Sequence, residues 1–177
     1  STFIEKNSVN DTLLETKTLA KQLLSELKSI SASLNTDYIM KIGFSRALEN
    51  ELLKVSKPME KTAVLSKSGE EFRISPEREI ILFRLCQEVL NNTIRYAEAS
   101  KLKVNIEYEE NLMKLEIIDD GIGFDTSEIG KTDDKKESTG LINIRKRAEI
   151  IDATLTIESQ IGIGTKVYIK IPKNNHL

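Results

Sequence analysis

One cysteine and one histidine are all that 177 residues provide of the two commonest metal-ligating side chains. A lone cysteine excludes an internal disulfide, and with a single histidine it excludes a Cys/His zinc site. The histidine is His176, next to the last residue, where chains usually fray, which argues against a histidine-dependent triad within this chain. Long apolar runs are missing as well. The longest, Ile80-Ile81-Leu82-Phe83, stops at Arg84, far short of the roughly 18 residues that a membrane span needs. No signal-peptide pattern opens the sequence. Nor is there an excess of one charge: 26 Lys and Arg face 28 Asp and Glu, a formal net charge of -2, so no basic field calls for nucleic acid. Internal repeats and low-complexity tracts are absent. What is present, 39% hydrophobic and 31% charged residues, is a soluble globular balance of the cytosolic type. Any chemistry must come from carboxylates, amides, glycines and lysines. The length suits one full domain, or one domain with a helical appendage.

The appendage comes first. Leu13, Thr16, Ala20, Leu23, Leu27, Ile30 and Leu34 recur at spacings of three and four, a heptad seam that Leu14, Leu19 and Leu24 widen. A stripe that wide suits a helix in a bundle, one that needs partner helices, although a helix packed on its own domain would also show it. Residues 1–6 read as the last turn of an earlier helix and Asn7-Ser8-Val9-Asn10 as the connecting turn, so the sequence reads as a piece of a longer chain.

A second helix is expected from Asp37 to about Ser56, ended by Lys57-Pro58. Lys61 to Ile74 reads as a short strand, a turn at Ser68-Gly69 and a second extended piece. Ser75-Pro76-Glu77 supplies an N-cap, a first-position proline and an early acid, predicting a helix to about Ala97. Leu102, Val104, Ile106 and Tyr108 alternate with polar residues. After a turn at Glu110-Asn111, Met113, Leu115 and Ile117 alternate again, which predicts a hairpin. Phe124 to Thr139 is polar and reads as a long loop, Gly140 to about Asp152 as a helix, and Leu155 to Ile171 as a closing hairpin that turns near Gly162-Ile163-Gly164. Helices segregated from largely antiparallel strands predict an α+β two-layer sandwich.

Four features in that order could carry chemistry. On the Pro76–Ala97 helix, at about 100° per residue, Glu88, Asn92 and Arg95 share the face opposite Leu82, Cys86, Val89, Leu90 and Ile94. A carboxylate and an amide oxygen one turn apart suit a hard cation such as magnesium, and an arginine one turn on can reach a phosphate held by it. A solvated polar face would look the same. Asp119-x-Gly121-x-Gly123 closes a buried-looking strand; the aspartate can accept from an exocyclic amine and the glycines let backbone approach a flat ligand, though a tight Asp-Gly turn also has this form. Gly140-Leu141 opens a helix after a polar loop, the pattern of an anion site with a movable cover or of a plain helix cap. Gly162-x-Gly164-Thr165 sits between the last two strands, as a bare turn would. Gly130-Lys131-Thr132 is not a P-loop, since Asp125 holds the place of its first glycine. Gly121-x-Gly123 is not a dinucleotide fingerprint, since Thr126 replaces the third glycine.

Taken jointly, Glu88-x-x-x-Asn92-x-x-Arg95-Tyr96-Ala97, Asp119-x-Gly121-x-Gly123, Ser138-Thr139-Gly140-Leu141-x-Asn143-x-Arg145-x-Arg147-Ala148 and Gly162-x-Gly164-Thr165 resemble the ATP-binding domain of bacterial sensor histidine kinases. Within the group that includes gyrase, Hsp90 and MutL, the NarX/DesK-type kinases are the most similar. The resemblance covers about residues 38–173. It implies a Bergerat-type ATP-binding domain over 36–177, preceded at 1–35 by the end of a dimerisation and phosphotransfer helical hairpin. It further implies that Asn92 ligates Mg²⁺ on the ATP phosphates, with Glu88 beside it orienting water on the metal. Arg95 and Tyr96 would lie near the phosphates and ribose, and Asp119 would accept the adenine amino group with help from Thr165 through a water. Gly121 and Gly123 would admit the base, residues 124–139 would form a lid, and the backbone of Gly140 and Leu141 would hold phosphate oxygens. Partners implied are a response regulator receiver domain and a second copy through the hairpin, with no nucleic acid and no membrane contact by this part of the chain. Ser138 stands where many relatives carry glycine. The family's phosphoacceptor histidine, followed by an acidic or polar residue, has no counterpart, so this stretch is expected to bind ATP without phosphorylating itself. An anti-sigma-type serine kinase and a degenerate, non-catalytic nucleotide-binding scaffold are the alternatives.

Overall fold

A computed structural model of the chain describes residues 16–17, 36–56, 62–126 and 137–173, without the side chains of 137–139. Apart from Thr16 and Lys17, which are helical, the expected heptad helix and the segment before it lie outside the described residues. The chain divides into two compact units, Ser1–Tyr38 and Ile39–Leu177.

Five strands form one mixed sheet in the second unit: β1 (Thr62–Gly69), β2 (Lys101–Tyr108), β3 (Leu112–Asp119), β4 (Thr154–Gln160) and β5 (Gly164–Pro172), in the order β1-β2-β3-β5-β4. Only β1 and β2 run parallel, with Thr62 opposite Lys101; all other pairs are antiparallel. A parallel pair needs a long crossover, and helix α2 (Pro76–Tyr96) supplies it. The sequence reading of a turn at Ser68-Gly69 followed by a second extended piece is corrected here. Residues 70–75 form no strand, and Ser68 and Gly69 continue β1, paired with Glu107 and Tyr108.

Alternation decides which face is covered. In β2 and β3, Leu102, Val104, Ile106, Tyr108, Met113, Leu115 and Ile117 are buried, and the residues between them face the other way. The buried face packs under α1 (Phe44–Ser56), α2 and α3 (Glu137–Ile150), whose contributions include Phe44, Leu48, Leu82, Phe83, Leu90, Ile144 and Ala148. Removing each of the Phe, Leu and Ile side chains from water stabilises the fold by roughly 1.5–3 kcal/mol. The open face is polar: Ser66 Oγ donates to Asn105 Oδ1 and Asn105 Nδ2 to Glu116 Oε2, both at 2.5 Å. One wet face is usual for a largely antiparallel sheet.

Helix α2 starts as its residues predict. Ser75 is the N-cap, its hydroxyl accepting from the Arg78 amide at 3.5 Å, with Pro76 at the first position. Arg78 is buried and donates to the carbonyls of Ile151 (2.8 Å) and Pro172 (2.9 Å), tying the start of α2 to the ends of α3 and β5. The helix expected from Asp37 to Ser56 is instead two: residues 36–42 and α1, broken at Gly43 with φ +82. Left-handed glycine is the common way to stop a helix. The Gly43 amide donates to Ile39 O at 2.8 Å, while its own carbonyl accepts from Ala47 and opens the next helix. Arg73, held by the buried Glu79 at 2.5 Å, donates to Met40 O at 3.3 Å beside the break.

Candidate functional site

Two walls of a site meet on α2. One is built around Asp119, the last residue of β3, which is buried although charged. A buried carboxylate must be hydrogen-bonded, and this one is. Its Oδ1 accepts from the amides of Gly121 (3.0 Å) and Thr165 (3.3 Å), and its Oδ2 accepts from Thr93 Oγ1 at 3.0 Å. Thr93 is the neighbour of Asn92, so Asp119 is bonded to the same turn of α2 that carries the expected metal ligand.

The loop after Asp119 is laced to its surroundings. Ile122 donates its amide to Ala97 O at the end of α2, Gly162 donates to Ile122 O (both 2.7 Å), and the Phe124 amide donates to Ser159 Oγ at 2.9 Å. The glycines serve this lacing. A Cβ on Gly123 (φ +63) would overlap the carbonyl of Gln160, and one on Gly164 (φ +122) would overlap the carbonyl of Asp119 itself. Asp120 points the other way and caps β2, taking the amides of Ser100 (2.7 Å) and Lys101 (2.6 Å) on one oxygen. The Lys101 hydrogen bond, more than any other group, holds the Asp120 carboxyl below the ordinary carboxylate range.

The second wall is the polar edge of α2. Glu88 and Asn92, both half-buried, face the start of α3: a Cβ on Gly140 would lie 3.0 Å from Glu88 Oε1 and 3.5 Å from Asn92 Oδ1. Further along α3, Arg147 brings Nη1 to 4.0 Å from Glu88 Oε2, and that nitrogen is buried without a hydrogen-bond partner. Burial, and after it the like charge of Arg147, lowers the Arg84 guanidinium from its ordinary value. Arg84 in turn donates to Gln87 Oε1 at 2.9 Å, and Gln87 to Glu51 of α1 at 2.9 Å.

A carboxylate and an amide oxygen side by side fit a hard cation that keeps most of its shell as water and phosphate oxygens. Among the described residues there is no group of three or more His, Cys, Asp or Glu that could enclose a metal unaided.

The other expected residues differ in exposure and in what they touch. Arg95 and Tyr96 are exposed in the last turn of α2. The Thr165 hydroxyl faces Ser159 Oγ at 3.0 Å, and only its amide reaches Asp119. Leu141 is half-buried against the core. Helix α3 begins at Glu137, not at Gly140, so its first-turn amides, the ones without helical partners, precede Gly140. An acid followed by Ser and Thr reads as loop in a polar stretch, yet these are the residue types that a helix start favours. Most of the expected lid, residues 127–136, lies outside the described residues. Sequence reasoning missed Thr93, Ser159 and Arg147. Only Thr93 had a signal: a hydroxyl in a helix interior beside a singled-out asparagine.

The chain and its fold have known relatives. Residues 77–175, more than half of the chain, match the family of histidine kinase-, DNA gyrase B- and HSP90-like ATPases, and the chain belongs to it. It is 37% identical over 103 residues to the signal transduction histidine-protein kinase/phosphatase DegS of Bacillus subtilis (strain 168), covering 58% of this chain and 26% of that protein. It is 25% identical over 168 residues to the oxygen sensor histidine kinase NreB of Staphylococcus carnosus (strain TM300), covering 95% of this chain and 47% of that protein. The matched stretch thus spans about a quarter and about half of the length of these relatives. Among solved structures, the Erythrobacter litoralis EL346 blue-light activated histidine kinase superposes with a TM-score of 0.62 at 19% identity, over 84% of this chain and 50% of that one. The catalytic domain of histidine kinase ThkA superposes with a TM-score of 0.57 at 14% identity, over 73% and 90%. These likenesses establish the fold, the α+β sandwich expected of the sequence.

Proposed function

We propose that this chain is the catalytic portion of a two-component sensor histidine kinase, binding Mg-ATP in the angle between Asp119 and the Glu88–Asn92 edge of α2. The longer protein would pass the γ-phosphoryl of ATP to a histidine and then to a response regulator receiver domain. It would act as a homodimer through the helical hairpin that residues 1–35 would complete, in the cytoplasm, with residues 36–177 as the ATP-binding domain. The observation that carries this reading is the buried Asp119 carboxylate, bonded through Thr93 to the turn that presents Asn92.

In this reading Asp119 accepts the 6-amino group of adenine on the oxygen that has a free lone pair. Asn92 offers its amide oxygen to the cation, and Glu88 orients water on it. The first-turn amides of α3, which precede the expected Gly140 and Leu141, face the phosphates, where a helix N-terminus favours anions. Arg95 and Tyr96 reach the phosphates and ribose from the rim, and Thr165 helps at the base. Bound magnesium would neutralise charge that develops on the phosphoryl oxygens; the residues themselves bind and position, which is most of what phosphoryl transfer asks of a protein. The match to an oxygen sensor histidine kinase runs over 95% of this chain, including its N-terminal residues, which favours this reading over a compact serine kinase.

Calorimetric titration tests it. Mg-ATP binds the wild-type chain. Asp119→Asn, which puts an amide donor where acceptors are needed, lowers affinity by roughly 30- to 100-fold. Asn92→Ala makes the affinity the same with magnesium or with a chelator. Unchanged Mg-ATP binding in both variants would refute the site. A flat wild-type titration would leave only a scaffold role.

A further inference from the structure

We propose that Thr93 is the residue that makes the site select purines bearing a 6-amino group, by holding Asp119 in its accepting orientation; the inference rests on Asp119 being the base-reading group. Threonine inside a helix usually turns its hydroxyl back onto a carbonyl one turn earlier. Thr93 does not: its Oγ1 donates to Asp119 Oδ2 at 3.0 Å across 26 residues, and both side chains are buried, at 5% and 7% exposure.

The partition of donors on Asp119 gives this bond its consequence. Oδ1 accepts two backbone amides, from Gly121 and Thr165, and its lone pairs are used. Oδ2 accepts only Thr93 among the described residues, which leaves one acceptor direction on that oxygen. The two amides fix Oδ1 but permit the carboxylate to rock about it. Thr93 removes that freedom and aims the remaining lone pair. A 6-amino purine donates to it. A 6-oxo purine presents a carbonyl oxygen to a carboxylate oxygen and is repelled. Discrimination by a buried polar group left unpaired is the kind that proteins make large. Asn92 and Thr93 are adjacent and about 100° apart on α2. One helix turn therefore sends one residue towards Gly140 and the other towards Asp119, and the spacing between base and metal subsites is built into the helix.

The test compares ATP with inosine triphosphate, which carries oxygen in place of the 6-amino group, by calorimetry on the whole chain, with melting temperatures measured alongside. The wild type is expected to prefer ATP by at least about tenfold. Thr93→Val keeps the shape and loses the hydroxyl. It should weaken ATP binding about tenfold and change inosine triphosphate binding by less than about twofold, the worth of one hydrogen bond to a charged group. Thr93→Ser and Thr93→Ala both lack the methyl group and differ only in the hydroxyl, so this pair answers even where Val fails to fold: Ser keeps the wild-type ratio and Ala loses it. A lowered melting temperature in Val and Ala with an unchanged ATP-to-inosine ratio would make Thr93 merely structural and overturn the inference, while Asp119 keeps its role. Equal binding of the two nucleotides by the wild type would overturn the base-reading role of Asp119, and this inference with it.

Discussion

The two walls of the site are built to different standards. Around Asp119 the hydrogen bonds are dense: three donors converge on the carboxylate, and the loop from Asp120 to Phe124 is bonded to β2, to the end of α2 and to the β4–β5 turn. Around Glu88 the contacts are long and partial. The nearest guanidinium nitrogen is at 4.0 Å, lacks a hydrogen-bond partner, and both side chains are about one-third exposed. The difference follows from what each wall would meet. A flat base brings few charges and is recognised by shape and one or two hydrogen bonds, so the groups that read it must be held in advance. A hydrated cation and its phosphates bring their own strong fields, and the residues beside them can wait half-solvated until the ligand organises them.

Substitution of glycine on either wall exposes the contrast. Gly164→Ala should do the most damage: the new Cβ overlaps the Asp119 carbonyl at a backbone angle that L residues rarely adopt. We expect a loss of about 3 kcal/mol or more in stability, roughly 10 °C in melting temperature, with nucleotide binding lost as well. A melting temperature within a degree or two of wild type would mean that the base wall is softer than its hydrogen bonds imply. Gly140→Ala should act oppositely on the two properties. It lies in a helix, where alanine is favoured over glycine by about 0.5–1 kcal/mol, and its Cβ meets the end of a flexible side chain at 3.0 Å. Chemical denaturation should show equal or slightly higher stability. Calorimetry should show Mg-ATP affinity down roughly three- to tenfold, since small misplacements at such a site are costly. Unchanged affinity would place the phosphates elsewhere.

The smallest effect concerns Asp120. Its carboxyl is depressed in the folded protein, chiefly by the Lys101 amide, so the stability it contributes is present above the unfolded value near 3.8 and is lost as pH falls through the lower folded value. Asp120→Asn should therefore be slightly less stable than wild type at neutral pH, and the gap should close as urea melts are repeated towards acid. A gap that persists once the folded carboxyl is protonated would assign the effect to geometry rather than charge.

Much of the framework could be read in advance because it is local. Ser75-Pro76 starts α2, the alternation from Lys101 to Ile117 makes the central hairpin, and Gly162-x-Gly164 turns the last one. What could not be read depends on partners distant in the chain. Nothing near Thr62 says that it will lie beside Lys101 in parallel. Gly43 could be a tolerated helical glycine until Arg73 and the core show where the chain must bend. Glu137-Ser138-Thr139 is loop or helix start depending on what α3 packs against. Arg147 stands in the quoted helix motif, but nothing beside it in the sequence says that it will reach Glu88.

The order of residues alone determined periodicity, caps and turns, because these are contests between near neighbours that few contacts can reverse. It also set which carboxylate, amide and glycines were available. Tertiary structure decided that the hydroxyl of Thr93 reaches Asp119 and that Gly140 lies against Glu88 and Asn92. Those facts rest on hydrogen bonds and close approaches between segments 26 and more residues apart. Such contacts exist only once the sheet and its helices have packed.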